Sequence, residues 1–143
     1  MRARFMGWAA AAVLLAAAPA VAETLHFSTG LKGADEVPAN TTKGTGKVVA
    51  SLDTATKMFS YKVTYSGLTG PATMAHFHGP AAAGANAPPV VPVPTSALAN
   101  PMKGTATLTD PQIADLKDGK WYFNIHTAAN PGGEIRGQMA AGK

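Results

Sequence analysis

Met58-Phe59-Ser60-Tyr61-Lys62-Val63-Thr64-Tyr65-Ser66 sets Phe59, Tyr61, Val63 and Tyr65 on one face and Ser60, Lys62 and Thr64 on the other. A period of two is the signature of a β-strand with one face buried. Gly67-Leu68-Thr69-Gly70-Pro71 closes the strand, and the turn Asp53-Thr54-Ala55-Thr56 precedes it. Working outward, short alternating runs recur at 24–28, 46–52, 72–78, 104–109, 120–127 and 134–139, separated by Gly, Pro, Asn and Ser. This spacing predicts an all-β fold of antiparallel strands, a Greek-key or immunoglobulin-like β-sandwich. One short helix is expected near 111–117, with Asp110 as its N-cap, Pro111 in its first turn and Asp118-Gly119 at its end. Ile113 and Leu116 should dock it on the sheet. The stretch 79–94 holds five prolines and no periodicity, and it reads as a long loop.

The first residues have a different character. Arg2 and Arg4 precede an apolar run of Ala, Val and Leu from 9 to 18, Pro19 breaks it, and Ala20-Val21-Ala22 is a small-x-small cleavage site. Residues 1–22 are therefore expected to be a secretory signal helix, cleaved after Ala22, with 23–143 as one β-sandwich domain in the periplasm or outside the cell. The run is too short for a membrane span, which needs ~20 apolar residues. No later segment is apolar enough to span.

The formal charge of the whole chain is +4. Without Arg2 and Arg4, ten basic residues face eight acidic ones. No basic cluster interleaved with aromatics exists, so nucleic acid is not an expected partner. Cysteine is absent, which rules out disulfides and a thiolate copper site. No Gly-x-Ser-x-Gly elbow, phosphate-binding glycine loop, Asp-x-Asp-x-Asp calcium loop or paired catalytic carboxylates can be identified. No catalytic residue is assigned.

The histidines are the one site-like pattern. His76 and His78 lie two apart in Met74-Ala75-His76-Phe77-His78-Gly79, so on a strand both imidazoles and Met74 share a face. In Trp121-Tyr122-Phe123-Asn124-Ile125-His126-Thr127 the apolar set is Trp121, Phe123 and Ile125, which leaves Tyr122, Asn124 and His126 on the opposite face. If the two strands are neighbours, three imidazoles converge. Three neutral imidazoles suit Cu(II) or Zn(II), and a sulfur from Met74 at the edge would favour Cu(I). The competing reading makes the His-x-His pair solvated, or a set of hydrogen-bond partners for the long loop. His26 is expected to be an ordinary exposed strand residue. Glu134 and Arg136 alternate on the last strand. They read either as an ion pair or clamp on the Pro131-Gly132-Gly133 turn, or as groups that orient a liganding histidine. Glu36 and Asn124 carry the same two readings. Arg136, with its fork of donors, suits a carboxylate or several loop carbonyls.

Several blocks carry a family resemblance. Leu31-Lys32-Gly33-Ala34-Asp35-Glu36-Val37-Pro38, the Phe59-Ser60-Tyr61 strand, Ala75-His76-Phe77-His78-Gly79-Pro80, and Asn124-Ile125-His126-Thr127 through Gly133-Glu134-Ile135-Arg136-Gly137-Gln138 together resemble CHRD domains. These are named from chordin, an extracellular antagonist of growth-factor signalling, and also occur alone in exported bacterial proteins. The resemblance implies an immunoglobulin-like or related Greek-key sandwich and an extracytoplasmic address, and it implies no defined activity. His76, His78 and His126 fall inside the matching blocks, whereas His26 does not. The His-x-His strand is more faintly similar to copper–zinc superoxide dismutases. Their fourth copper histidine, bridging ligand and acidic zinc ligand have no counterpart here, so dismutase activity is not expected. Two expectations follow. The first is an exported protein that buffers or delivers copper, with zinc as the second choice. Redox chemistry at an open copper position is its lesser variant. The second is a metal-free interaction or adhesion module whose proline-rich loop contacts another extracytoplasmic protein.

Overall fold

The computed structural model describes residues 13–18 and 21–142. Strands β1 (Thr24–Lys32), β2 (Thr45–Asp53) and β3 (Met58–Ser66) form an antiparallel meander, with Phe27 opposite Ala50 and Ala50 opposite Tyr61. Strand β4 (Ala72–His78) leaves this layer and starts a second one, where it lies between β5 (Pro89–Pro92) and β7 (Tyr122–Thr127). The chain returns to the first layer as β6 (Met102–Thr107), beside β3, and helix α1 (Asp110–Lys117) carries it back to β7. Strands β8 (Ile135–Gln138) and β9 (Ala140–Ala141) complete the order β5-β4-β7-β8-β1-β2-β3-β6, with β9 on β1.

Adjacent in that order, β8 and β1 share a single register pair, Lys32 with Arg136. There the sheet folds over on itself, and the two halves face each other as an all-β sandwich. The packing shows this directly. Phe59 of β3 meets Phe77 of β4 edge-to-face at 5.1 Å, and Trp121 at 5.7 Å, although β3 and β4 lie far apart in the sheet order. Phe59, Phe77, Trp121, Phe123, Ile125 and Ile135 are fully buried. Rings of this size bury ~150–250 Å² each and dominate the core.

The expected elements are present, with four physical corrections. Strand β1 runs on to Lys32, because the alternation continues through buried Leu31 before a 3-10 turn at Gly33–Asp35. The proline-rich stretch contains β5, which pairs only with β4. An edge strand tolerates proline because one row of its N–H groups has no ladder to serve. Helix α1 is capped by Thr109, which forms a capping box with Gln112, while Asp110 instead pairs with Lys57 at 2.8 Å. Leu116 docks fully and Ile113 partly, as expected. Finally, residues 13–18 of the expected leader helix carry no regular secondary structure and are exposed. An apolar segment without a packing partner lacks what makes short helices stable. Arg2, Arg4, Pro19 and Ala20 lie outside the described residues. Among the described residues no helix is long and apolar enough to cross a membrane.

Candidate metal centre

The core sets the direction of every side chain in the site. Ala75 and Phe77 on β4 and Phe123 and Ile125 on β7 point inward and are completely buried. Their neighbours Met74, His76, His78, Tyr122, Asn124 and His126 must therefore point to the outer face. The register sets Met74 across from His126, His76 across from Asn124, and His78 across from Tyr122. Since β4 is internal to its layer rather than an edge, both histidine strands are held on each side.

This face is roofed by the loop that follows β4. Arg136 donates from Nη1 to Asn86 Oδ1 at 2.9 Å and from Nη2 to the Ala85 carbonyl at 2.6 Å. Gln138 Nε2 donates to the carbonyls of Ala81 and Gly119. The Tyr122 hydroxyl accepts from the Ala87 N–H and donates to the Ala87 carbonyl. Residues 81–87 are thereby lashed across the sheet. Arg136 also lies 3.4 Å above the Tyr122 ring, whose other neighbour, His78, stacks on it at 4.6 Å and 4°. The stacked Arg136, Tyr122 and His78 fix the tilt of that imidazole.

His76, His78 and His126 each offer a ring nitrogen, and these three atoms lie within 4.8 Å of one another. A single point then lies within about 2.8 Å of all three, close to the ~2.0–2.1 Å of a zinc–imidazole bond. His78 Nδ1 is 2.9 Å from the Ala87 carbonyl, and His126 Nδ1 is 2.8 Å from the Pro131 carbonyl. Both rings can therefore spend their Nδ1–H on backbone oxygens and turn an Nε2 lone pair toward the cluster. This is how ligating histidines are usually held. His76 is half-buried, and its Nδ1 is buried without any hydrogen-bond partner. Burial, followed by the neighbouring imidazoles of His126 and His78, holds the His76 imidazole below the usual histidine range. Burial does the same for His78, partly offset by its contacts to Ala87 and Asn124. Both stay neutral near pH 7, the form that binds a metal.

Asn124 occupies the middle of the group. Its Oδ1 is 2.9 Å from His78 Nε2 and 3.0 Å from His126 Nε2. Glu36, from the turn after β1, lies behind Asn124 and is only 5% exposed. Burial pushes its carboxyl up to about 7, against the opposing pull of Arg136, the Asn124 amide and the Val37 N–H. Its Oε1 lacks a hydrogen-bond partner of its own. Gly133, at φ 128°, leaves room for this arrangement: a Cβ there would fall on Glu36 Oε1 and within 2.7 Å of Asn124 Nδ2.

Glu134 plays a different part from Glu36. Fully buried, it accepts from the Thr69 N–H at 3.1 Å, the Thr42 hydroxyl and the Asn130 amide, and ties three loops together. Among the described residues it forms no hydrogen bond with a histidine and no ion pair with Arg136. Glu134 thus ties Thr42, Thr69 and Asn130 together, and Arg136 holds Ala85 and Asn86 rather than the Pro131-Gly132-Gly133 turn. Met74 stays 44% exposed beside the cluster, and His26 is exposed on β1, away from it. Tyr122 joins the site as well: the period-two pattern sets it on the histidine face, and its hydroxyl and ring hold Ala87, Arg136 and His78.

No curated protein and no solved structure matches the chain. The family model for the CHRD domain matches residues 27–139, a span that holds His76, His78, His126, Asn124 and Glu36. With its all-β sandwich and this match over most of its length, the chain belongs to the CHRD domain family.

Proposed function

We propose that this CHRD protein binds one transition-metal ion through His76, His78 and His126 and works outside the cytoplasm as a copper buffer or carrier, with zinc the second choice. One observation carries the reading. One imidazole nitrogen from each of His76, His78 and His126 converges within 4.8 Å, and Nδ1 of the His76 ring is buried with nothing to bond. A buried polar atom without a partner is uncommon and costs about 1–3 kcal/mol. A metal ion would remove that cost. Imidazole donors suit copper and zinc alike. Met74 lies on the same face, across from His126, and its thioether is a donor that suits copper. Export rests on the leader-like segment 1–22. No reaction is assigned to the site.

The reading is tested by titrating Cu(II) and Zn(II) into the purified chain and into its His76→Ala/His78→Ala variant by calorimetry. One ion per chain should bind the native protein, and the variant should lose more than the ~10–100-fold that loss of a merely orienting partner costs. Equal binding by the two proteins would sink the site and leave the metal-free interaction module.

A further inference from the structure

We infer that Asn124 supplies the fourth donor to the ion, through its side-chain oxygen, and that Glu36 holds the amide in that orientation. This rests on the three-histidine reading above and goes beyond it, because it closes the coordination shell and selects the ion's charge.

The argument begins with hydrogen counting. A neutral imidazole carries one N–H. His78 and His126 each face two oxygens, a backbone carbonyl at Nδ1 and Asn124 Oδ1 at Nε2. With both hydrogens on Nδ1, two nitrogen lone pairs meet an amide oxygen that has only lone pairs. With both on Nε2, the same conflict moves to the carbonyls of Ala87 and Pro131. Rotating the amide would turn Nδ2 toward the imidazoles and Oδ1 toward Glu36, which suits only the protonated carboxyl; once Glu36 is ionised, lone pairs face lone pairs there instead. The native orientation instead gives the buried Glu36 the attraction of the Asn124 amide.

A cation at the centre resolves the conflict in one step. It accepts the lone pairs of His78 Nε2, His126 Nε2 and Asn124 Oδ1, and it leaves each Nδ1–H on its carbonyl. The distances agree. Two bonds of ~2.0–2.1 Å meeting at ~90–110° hold their donor atoms ~2.8–3.4 Å apart, a range whose short end includes the observed 2.9 and 3.0 Å. His76, across the ladder from Asn124, completes the set with its unpartnered Nδ1. Three imidazoles and one carboxamide oxygen make a harder set than one containing Met74 sulfur. They favour Cu(II) or Zn(II) over Cu(I). Four protein donors also leave no open position, which is the pattern of a site that holds an ion rather than one that uses it.

The test uses the full chain with Co(II) in place of zinc, because the visible bands of Co(II) report coordination number. Native protein should show the intense absorption of a four-coordinate ion. Asn124→Ala should bind Co(II) and Zn(II) at least ~10-fold more weakly, with bands weakened and shifted as water enters. Asn124→Asp, which keeps an oxygen in place, should restore the native bands. If Asn124→Ala folds poorly, the Asn124 side-chain carbonyl ¹³C resonance of the native chain should move when Zn(II) is added. Native affinity and bands in Asn124→Ala, or an unmoved carbonyl resonance, would overturn this inference. If His76→Ala still abolished binding in that case, the three-histidine reading would stand. Absence of Co(II) and Zn(II) binding by every protein would overturn both.

Discussion

Replacing Glu36 by Gln keeps the shape of the side chain and removes its charge. In the folded chain the Glu36 carboxyl is pushed from 4.5 up to about 7. Between those pH values the folded state holds a proton that the unfolded state has released, so stability falls as pH rises through the window and levels off above it. At 1.36 kcal/mol per unit the lift corresponds to at most ~3 kcal/mol. Residual solvent screening around the carboxylate brings the expected value nearer ~2 kcal/mol. His76 and His78 act in the opposite sense. Their folded values lie below the usual histidine range, so the unfolded chain takes up protons first, and stability is lost as pH falls below about 6.5. Arg136 and Asn124 are the groups facing Glu36, and both remain in the variant. Urea denaturation in chelator, at several pH values between about 4 and 8, isolates the Glu36 contribution as the difference between the two proteins. The variant should gain ~2 kcal/mol on the native chain across that range. Parallel profiles for the two proteins would refute the strained, buried carboxylate.

Three further substitutions probe the frame around the site. Phe77→Ala removes a fully buried ring that touches Phe59, Tyr61, Trp121 and Phe123, and should lower unfolding stability in urea by ~3–5 kcal/mol. Glu134→Gln weakens the acceptor shared by Thr69, Thr42 and Asn130, and should cost ~1–3 kcal/mol in the same assay. Its zinc affinity, measured by calorimetry, should change by less than the ~10-fold expected of a histidine-orienting group. Gly133→Ala places a methyl group against Glu36 and Asn124 at a φ of 128°. It should lower the thermal midpoint, cost ~1–3 kcal/mol of strain, and weaken zinc binding as well.

What could be read from the sequence follows what period two can report. Of the face that alternation gives to Phe59, Tyr61, Val63 and Tyr65, the first three are buried and Tyr65, near the strand's end, is half-buried. The same rule placed His76, His78, Asn124 and His126 on one outer face, because Phe77, Phe123 and Ile125 claim the other. Alternation reports a face but neither depth nor partner. Glu36 and Glu134 therefore read alike in sequence, yet one lies against the Asn124 amide and the other ties Thr42, Thr69 and Asn130 together. Strand β5 was hidden by its prolines, which exclude a central strand but not an edge. Asp110 and Thr109 are both good caps by type, and the reciprocal bond from Gln112 decides for Thr109. The pairing of β4 with β7, on which the histidine cluster depends, is a long-range contact that local pattern does not encode.

The claim that His76, His78 and His126 share one ion is tested most directly by imidazole ¹⁵N resonances during a Zn(II) titration. The account predicts that three of the four histidines respond and saturate together at one equivalent, His78 and His126 through Nε2 and His76 through Nδ1. His26 should stay unchanged. A response from His26 in step with the others, or none from any histidine at one equivalent, would contradict it.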